Sequence, residues 1–135
     1  MTKTLKEIYS QEKTVISYEI FPPKNDSDGE KENRLFEVLK ILKGFDPSLI
    51  SVTYGAGGST ANQSFELVKR IKSDLKVTPM PHFTCVATGY GNIRAYMNNL
   101  EELGIKNILA LRGDIPEGNY FSDFQHASDL IEYIK

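Results

Sequence analysis

The sequence predicts an α/β fold built on a parallel sheet, in the order βαβαβαβα. Three observations predict it. Short apolar runs alternate with stretches whose apolar residues recur every three or four positions. Each helical stretch is long enough to carry the chain back across a sheet, which makes neighbouring strands parallel and the crossovers right-handed. The β-α units recur about every 30 residues, the size of one such unit.

The elements follow in order. Residues 1–14 are polar and form either a short lead-in helix or a disordered arm, set apart from a domain over 15–135. The first strand is predicted over 15–21, where Val15, Ile16, Tyr18, Ile20 and Phe21 suit a buried strand and Pro22-Pro23 stops it. Ser27-Asp28-Gly29-Glu30 reads as a capping box for a helix with Leu35, Val38, Leu39 and Leu42 on one face, ended at Gly44 in a left-handed turn. A second strand over 49–53 leads into the glycine-rich run Tyr54-Gly55-Ala56-Gly57-Gly58. Ser59 or Thr60 then caps a helix that turns Ala61, Phe65, Val68 and Ile71 inward. The third strand, 77–85, contains Pro79 and Pro81 and is expected to be bulged or interrupted. Ile93, Tyr96, Met97 and Leu100 share one face of the next helix, which stops at Gly104. The fourth strand is 107–111, and Ser122-Asp123-Phe124-Gln125 reads as the cap of a last helix carrying Ala127, Leu130, Ile131 and Ile134. The strands are near-continuous apolar runs, as expected for strands covered on both faces.

Composition narrows the function. The chain has 135 residues, enough for one domain, with 40% hydrophobic and 25% charged residues and a net charge of −2. It carries no basic block, so neither nucleic acid nor an anionic membrane is an expected partner. No apolar run reaches membrane-spanning length, and the polar start has no secretory core. Cys85 stands alone, which fits a reducing cytoplasm. With only His82 and His126 beside it, a structural zinc site is not expected and no metal is assigned.

Glu19, Thr53, His82 and Asp114 each fall at or just past a strand's end. In a parallel sheet these ends share one side, where α/β proteins bind ligands. Glu19 ends an apolar strand, where its charge is costly without a partner. It is read either as a solvated or paired strand-end carboxylate or as a functional acid. Burial and a nearby Asp114 are expected to keep it partly protonated. The run from Tyr54 to Thr60 lacks the lysine of a P-loop and the third glycine of a dinucleotide fingerprint. It is either a plain loop or a backbone cradle for an anion at the following helix. His82 is either a hydrogen-bonded core histidine or a ligand contact. Cys85 is read as a small buried hydrophobe and His126 as exposed. Arg112-Gly113-Asp114 either closes on itself as a salt bridge or grips one ligand from two sides. No strand end carries a lysine for Schiff-base chemistry, which counts against an aldolase.

Four of these segments together resemble methylenetetrahydrofolate reductases. They are Tyr18-Glu19-Ile20-Phe21-Pro22-Pro23, Ser51-Val52-Thr53-Tyr54-Gly55-Ala56-Gly57-Gly58, Pro81-His82-Phe83-Thr84-Cys85 and the run Ile108 to Pro116. They occur in that family's order and spacing. The resemblance implies the N-terminal half of a (βα)₈ TIM barrel that passes a hydride from NADH or NADPH to FAD, and from there to a folate. It also implies that Glu19 is the acid that protonates the folate and that Asp114 lies near the flavin ring and the folate. Thr53, Tyr54, Ala56, His82, Arg112 and Gly113 match positions that hold FAD or the nicotinamide. A tyrosine the family carries before an Ala-Ser-Asp is His126 here. Four β-α units are half of a barrel, so a missing C-terminal half or self-association is expected. The other reading is a non-catalytic flavin- or nucleotide-binding half-barrel that needs a partner half.

Overall fold

A computed structural model describes residues 2–24, 26, 28–55 and 61–135. Helix α1 spans Leu5–Gln11. Strand β1 is Ser17–Ile20, helix α2 Glu30–Lys43, strand β2 Leu49–Val52 and helix α3 Ala61–Arg70, which runs on through a π-helical turn, Ile71–Leu75. Strand β3 is Thr78–Thr84, helix α4 Tyr90–Glu102, strand β4 Leu109–Leu111 and helix α5 Ala127–Ile134. The strands form one parallel sheet in the order β1-β2-β3-β4. Sequential order with alternating helices is the arrangement of half a (βα)₈ barrel.

Alternation along the strands divides the sheet into two faces. Tyr18, Ile20, Ile50 and Val52 join Phe36, Leu39, Leu67, Val68 and Ile71 in the main core between sheet and helices. A second cluster gathers Phe83, Cys85, Ile93, Phe124 and Leu130 further along β3. The other face carries Glu19, Ser51, His82 and Thr84. The expectation of strands covered on both faces holds only at the centre. All four residues of β2 are buried, whereas β1 and β4 are sheet edges on which Ser17, Glu19, Leu109 and Leu111 are exposed. Pro79 and Pro81 do not interrupt β3. Parallel strands bond through alternate residues, and β3 stays in register with β2 through both prolines.

Helix ends differ from expectation in instructive ways. Ser27 lies outside the described residues, and the start of α2 is capped by Asp26, whose carboxylate accepts from the amides of Lys31 at 2.9 Å and Glu32 at 2.7 Å. The buried stripe of α2 is Phe36 and Leu39, while Val38 is exposed. Gly44 is right-handed at φ −61°, and the left-handed turn falls on Asp46 at φ 54°. Asp123 does not begin α5. Its carboxylate accepts from the Tyr90 amide at 2.8 Å and so caps α4. Helix α5 begins later, with the Asp129 carboxylate accepting from the amides of Gln125 and His126, both at 2.9 Å.

Residues before β1 form a helix, not a loose arm. The Asn107 side chain, just ahead of β4, accepts from the Leu5 amide at 2.8 Å and donates to the Lys3 carbonyl at 2.7 Å. Ile8 is fully buried beneath it. Ser48 and Asn107, at the starts of β2 and β4, bond to Glu12 and to the α1 region, so α1 sits at the N-terminal end of the sheet. No helix among the described residues is long and apolar enough to cross a membrane.

Candidate active site

The parallel ladders put the ends of all four strands on one side, so Glu19, Thr53, His82 and Asp114 lie at the same end of the sheet. Glu19 is level with Ser51, and Ser51 with Met80. His82 stands two residues further along β3, on the same face. The Glu19 side chain reaches diagonally across β2, and its Oε2 lies 3.4 Å from His82 Nε2. The two side chains differ sharply in setting: His82 is 7% exposed and Glu19 is 51% exposed.

His82 Nε2 is buried and makes no hydrogen bond among the described residues, because the Glu19 approach is poorly aligned. Burial holds the His82 pKa below the ordinary histidine range, and the nearby Glu19 offsets part of that effect. The imidazole is therefore neutral at neutral pH, and the contact is a carboxyl against a neutral ring. The expectation of a buried Glu19 paired with a second carboxylate is corrected here. Glu19 is half exposed because β1 is an edge strand. Asp114 is also exposed and stands past β4, at the opposite edge of the sheet.

The remaining predicted residues are distributed around this pair. The Thr53 amide donates to the Ile20 carbonyl at 3.0 Å and its carbonyl accepts from Ser64 Oγ at 2.8 Å, which carries the β1-β2 ladder one step further. The Tyr54 ring leaves the ligand side. It packs against Phe83 at 5.0 Å and Tyr96 at 5.9 Å, and burial raises its phenol pKa. Ala56 and the rest of the glycine-rich run to Thr60 lie outside the described residues. At the end of β4, the Leu111 and Arg112 carbonyls accept from the amides of Cys85 at 3.0 Å and Val86 at 2.8 Å, so the β3-β4 ladder also continues. Arg112 Nε donates to the Gly113 carbonyl at 3.1 Å, and no Arg112–Asp114 salt bridge forms among the described residues.

Gly113 has φ +85°, and a Cβ there would meet Val86 Cγ1 at 2.8 Å and Thr84 Cβ at 2.9 Å. Only glycine lets the chain cross β3 so closely. Cys85 is fully buried in the second cluster and burial raises its pKa, as suits a small hydrophobe rather than a nucleophile. His126 is exposed at the start of α5, 3.8 Å from the Asp129 carboxylate.

Sequence reasoning missed Thr84. Its Oγ1 is buried without a hydrogen-bond partner, as is His82 Nε2 on the same face. The signal was present, since residues two apart on a strand share a face. It also missed the cavity of about 420 Å³ past β3 and β4, whose lining includes Arg112, Tyr120, Ser122, Gln125 and His126. Loop residues 112–126 carry no periodicity that would have announced it. Another cavity, of about 300 Å³, lies at the opposite end of the sheet among Lys3, Glu12, Lys43 and Lys76, away from the Glu19–His82 pair.

Two buried, unpartnered polar atoms and an open carboxyl fit a polar ligand lying across the strand ends. A parallel half-barrel that sets a carboxyl, an imidazole and a guanidinium at those ends belongs to the class of α/β barrel proteins. The family model described as Methylenetetrahydrofolate reductase matches residues 4–135. The chain belongs to that family. It is 35% identical over 136 residues to "Methylenetetrahydrofolate reductase (NADH) 1" of Arabidopsis thaliana, covering 97% of this chain and 22% of the relative. Against "5,10-methylenetetrahydrofolate reductase" of Buchnera aphidicola the identity is 36% over 124 residues, covering 92% of this chain and 41% of the relative. The protein of that name from Escherichia coli is 31% identical over 135 residues, covering 100% of this chain and 44% of the relative. The chain thus spans less than half the length of each of these relatives.

Proposed function

We propose that this chain forms the N-terminal half of an active site that reduces methylenetetrahydrofolate to methyltetrahydrofolate, with FAD as the bound cofactor and NADH as the donor. Family membership supports the reaction, and the names of plant relatives support NADH over NADPH. The observation that carries the reading is the half-exposed Glu19 carboxyl poised beside His82 at the strand ends. Bound FAD supplies hydride transfer between the nicotinamide and the folate. Glu19 is the acid: its outward carboxyl protonates the folate and so activates the methylene bridge. The unpartnered Thr84 Oγ1 takes a polar ligand atom, while His82, Thr53, Tyr54, Arg112 and Gly113 shape the cofactor's bed, and Ala56 matches a cofactor-holding position by the family resemblance. Asp114 sits near the reactive ring and tunes it by charge. A lone buried cysteine fits a cytoplasmic home.

A second reading is a non-catalytic flavin- or nucleotide-binding half that needs a partner half. Exposed Phe21 beyond β1, with Leu109 and Leu111 on β4, favours an incomplete barrel wall completed by further strands or by self-association. Rapid-mixing measurements of the chain with FAD, alone and co-expressed with a C-terminal barrel half from a relative, separate the readings. Glu19→Gln is expected to cut flavin reoxidation by the folate to a small residual rate and spare flavin reduction by NADH. Equal loss of both steps makes Glu19 structural, and flavin binding without turnover in either format supports the second reading.

A further inference from the structure

The Glu19–His82 contact has more chemistry in it than an acid with a neighbour. His82 Nε2 is buried, lacks a hydrogen bond among the described residues, and faces Glu19 Oε2 at 3.4 Å. A buried ring nitrogen without a partner is unfavourable, and a small rotation of the exposed Glu19 side chain would align the pair. We propose that His82 is a positioning residue for Glu19: its Nε2–H engages Oε2, which leaves the transferable proton on the outward Oε1.

A carboxyl has two oxygens, and its proton sits on the one that is not accepting a strong hydrogen bond. A neutral imidazole with its proton on Nε2 donates to Oε2 and holds the carboxyl plane against the sheet. Oε1 is then the only oxygen free to carry a proton toward a ligand lying across the strand ends. Proton transfer to the ligand leaves a carboxylate on Glu19, still held by the same Nε2–H, and the proton is restored from solvent through the exposed side chain. No charge is created on His82 at any step, which agrees with its burial. The diagonal placement matters: Glu19 on the edge strand is free to turn, and His82 on the interior strand β3 is not.

This inference rests on the reading of Glu19 as the acid for its catalytic consequence, but its first test does not. The imidazole nitrogens of His82 are followed by NMR through a pH titration of the 135-residue chain. Glu19 is the charged group that acts on His82 here, and it raises the His82 pKa. Glu19→Gln is expected to lower the His82 midpoint, while Glu37→Gln, on the solvent side of α2, leaves it in place. An unchanged midpoint in the Glu19 variant overturns the proposal. In flavin-loaded, completed enzyme, His82→Leu is expected to slow the folate half-reaction about tenfold or more and His82→Gln, which keeps a donor near the Nε2 position, to recover most of it. In the Glu19→Gln background the His82→Leu loss should shrink to about threefold or less, because residues that act as a unit are not additive. Full additivity of the two changes sinks the positioning role even if Glu19 is the acid. A fully active Glu19→Gln enzyme removes the acid reading and leaves the NMR coupling standing.

Discussion

Gly113 offers a way to weigh backbone strain against steric collision within one chain. It sits at φ +85°, and an added Cβ would lie 2.8 Å from Val86 Cγ1 and 2.9 Å from Thr84 Cβ. Gly118, five residues on, has φ +83° and nothing within 4 Å of its virtual Cβ. The two positions share a dihedral cost and differ in the collision. A left-handed conformation costs an L-residue about 1–2 kcal/mol. Forcing a methyl into a packed contact adds about 1–3 kcal/mol. Gly118→Ala should therefore lose only the first amount, and Gly113→Ala both. For a chain of this size each kcal/mol lowers the melting temperature by about 4 °C. Urea and thermal unfolding of the two variants should separate by about 1–3 kcal/mol, the size of the packing cost alone. Indistinguishable variants would mean that β3 yields to the methyl and that the crossing of Gly113 over Thr84 is not tightly packed. Because Thr84 neighbours His82 on the site face, Gly113→Ala should also disturb the His82 resonances, and Gly118→Ala should not.

Other expectations follow from the same geometry. Asp123→Ala removes the carboxylate that caps α4 through the Tyr90 amide and should cost about 1 kcal/mol in urea unfolding; no loss would mean that solvent caps the helix equally well. His82 has a pKa held below that of an unfolded histidine, so the unfolded chain binds more protons in that window. Stability should be full above the ordinary histidine range and fall as the pH drops through it toward the depressed native value. A melting temperature that stays flat over that interval would contradict the burial of the ring. Cys85 is fully buried with a raised pKa, so a thiol reagent should label it at the rate of unfolding and not at the rate of a free thiol. Fast labelling of the folded chain would refute its place in the second cluster.

Much of this was legible in the sequence, and the exceptions have physical causes. Strand positions were readable because the runs at 49–52 and 78–84 are apolar and short, and the parallel order followed from the helices between them. Glu19, His82 and Asp114 could be placed at one end of the sheet for the same reason. Side-chain partners could not be placed. Glu19 was read as buried because its strand is apolar, but an edge strand buries one face only, and edges are a property of the whole sheet. Pairing of Glu19 with His82 instead of Asp114 depended on strand order, since β3 is two strands from β1 and β4 is three. Helix caps failed where a capping residue came from elsewhere in the chain. Asp123 satisfies all the local rules for starting a helix and is used instead to cap one 33 residues earlier. The family resemblance matches Tyr54 to a cofactor position, and its ring packs in the aromatic cluster with Phe83 and Tyr96.

The Asn107 side chain has a consequence for how the molecule comes into being. Its amide spans 102 residues to the Leu5 amide and 104 to the Lys3 carbonyl. Helix α1 precedes the four β-α units in the chain, yet its anchor is made only when the fourth unit is being synthesised. Seven residues of isolated helix are too few to persist alone in water. The leading segment must therefore wait, unfolded or fluctuating, while three β-α units assemble ahead of it. Its docking then reports that the fourth has arrived. Closing so long a loop slows the docking of α1. A fusion partner placed directly before Thr4 would weigh on this late step, while leaving the central strands β2 and β3 free to pair.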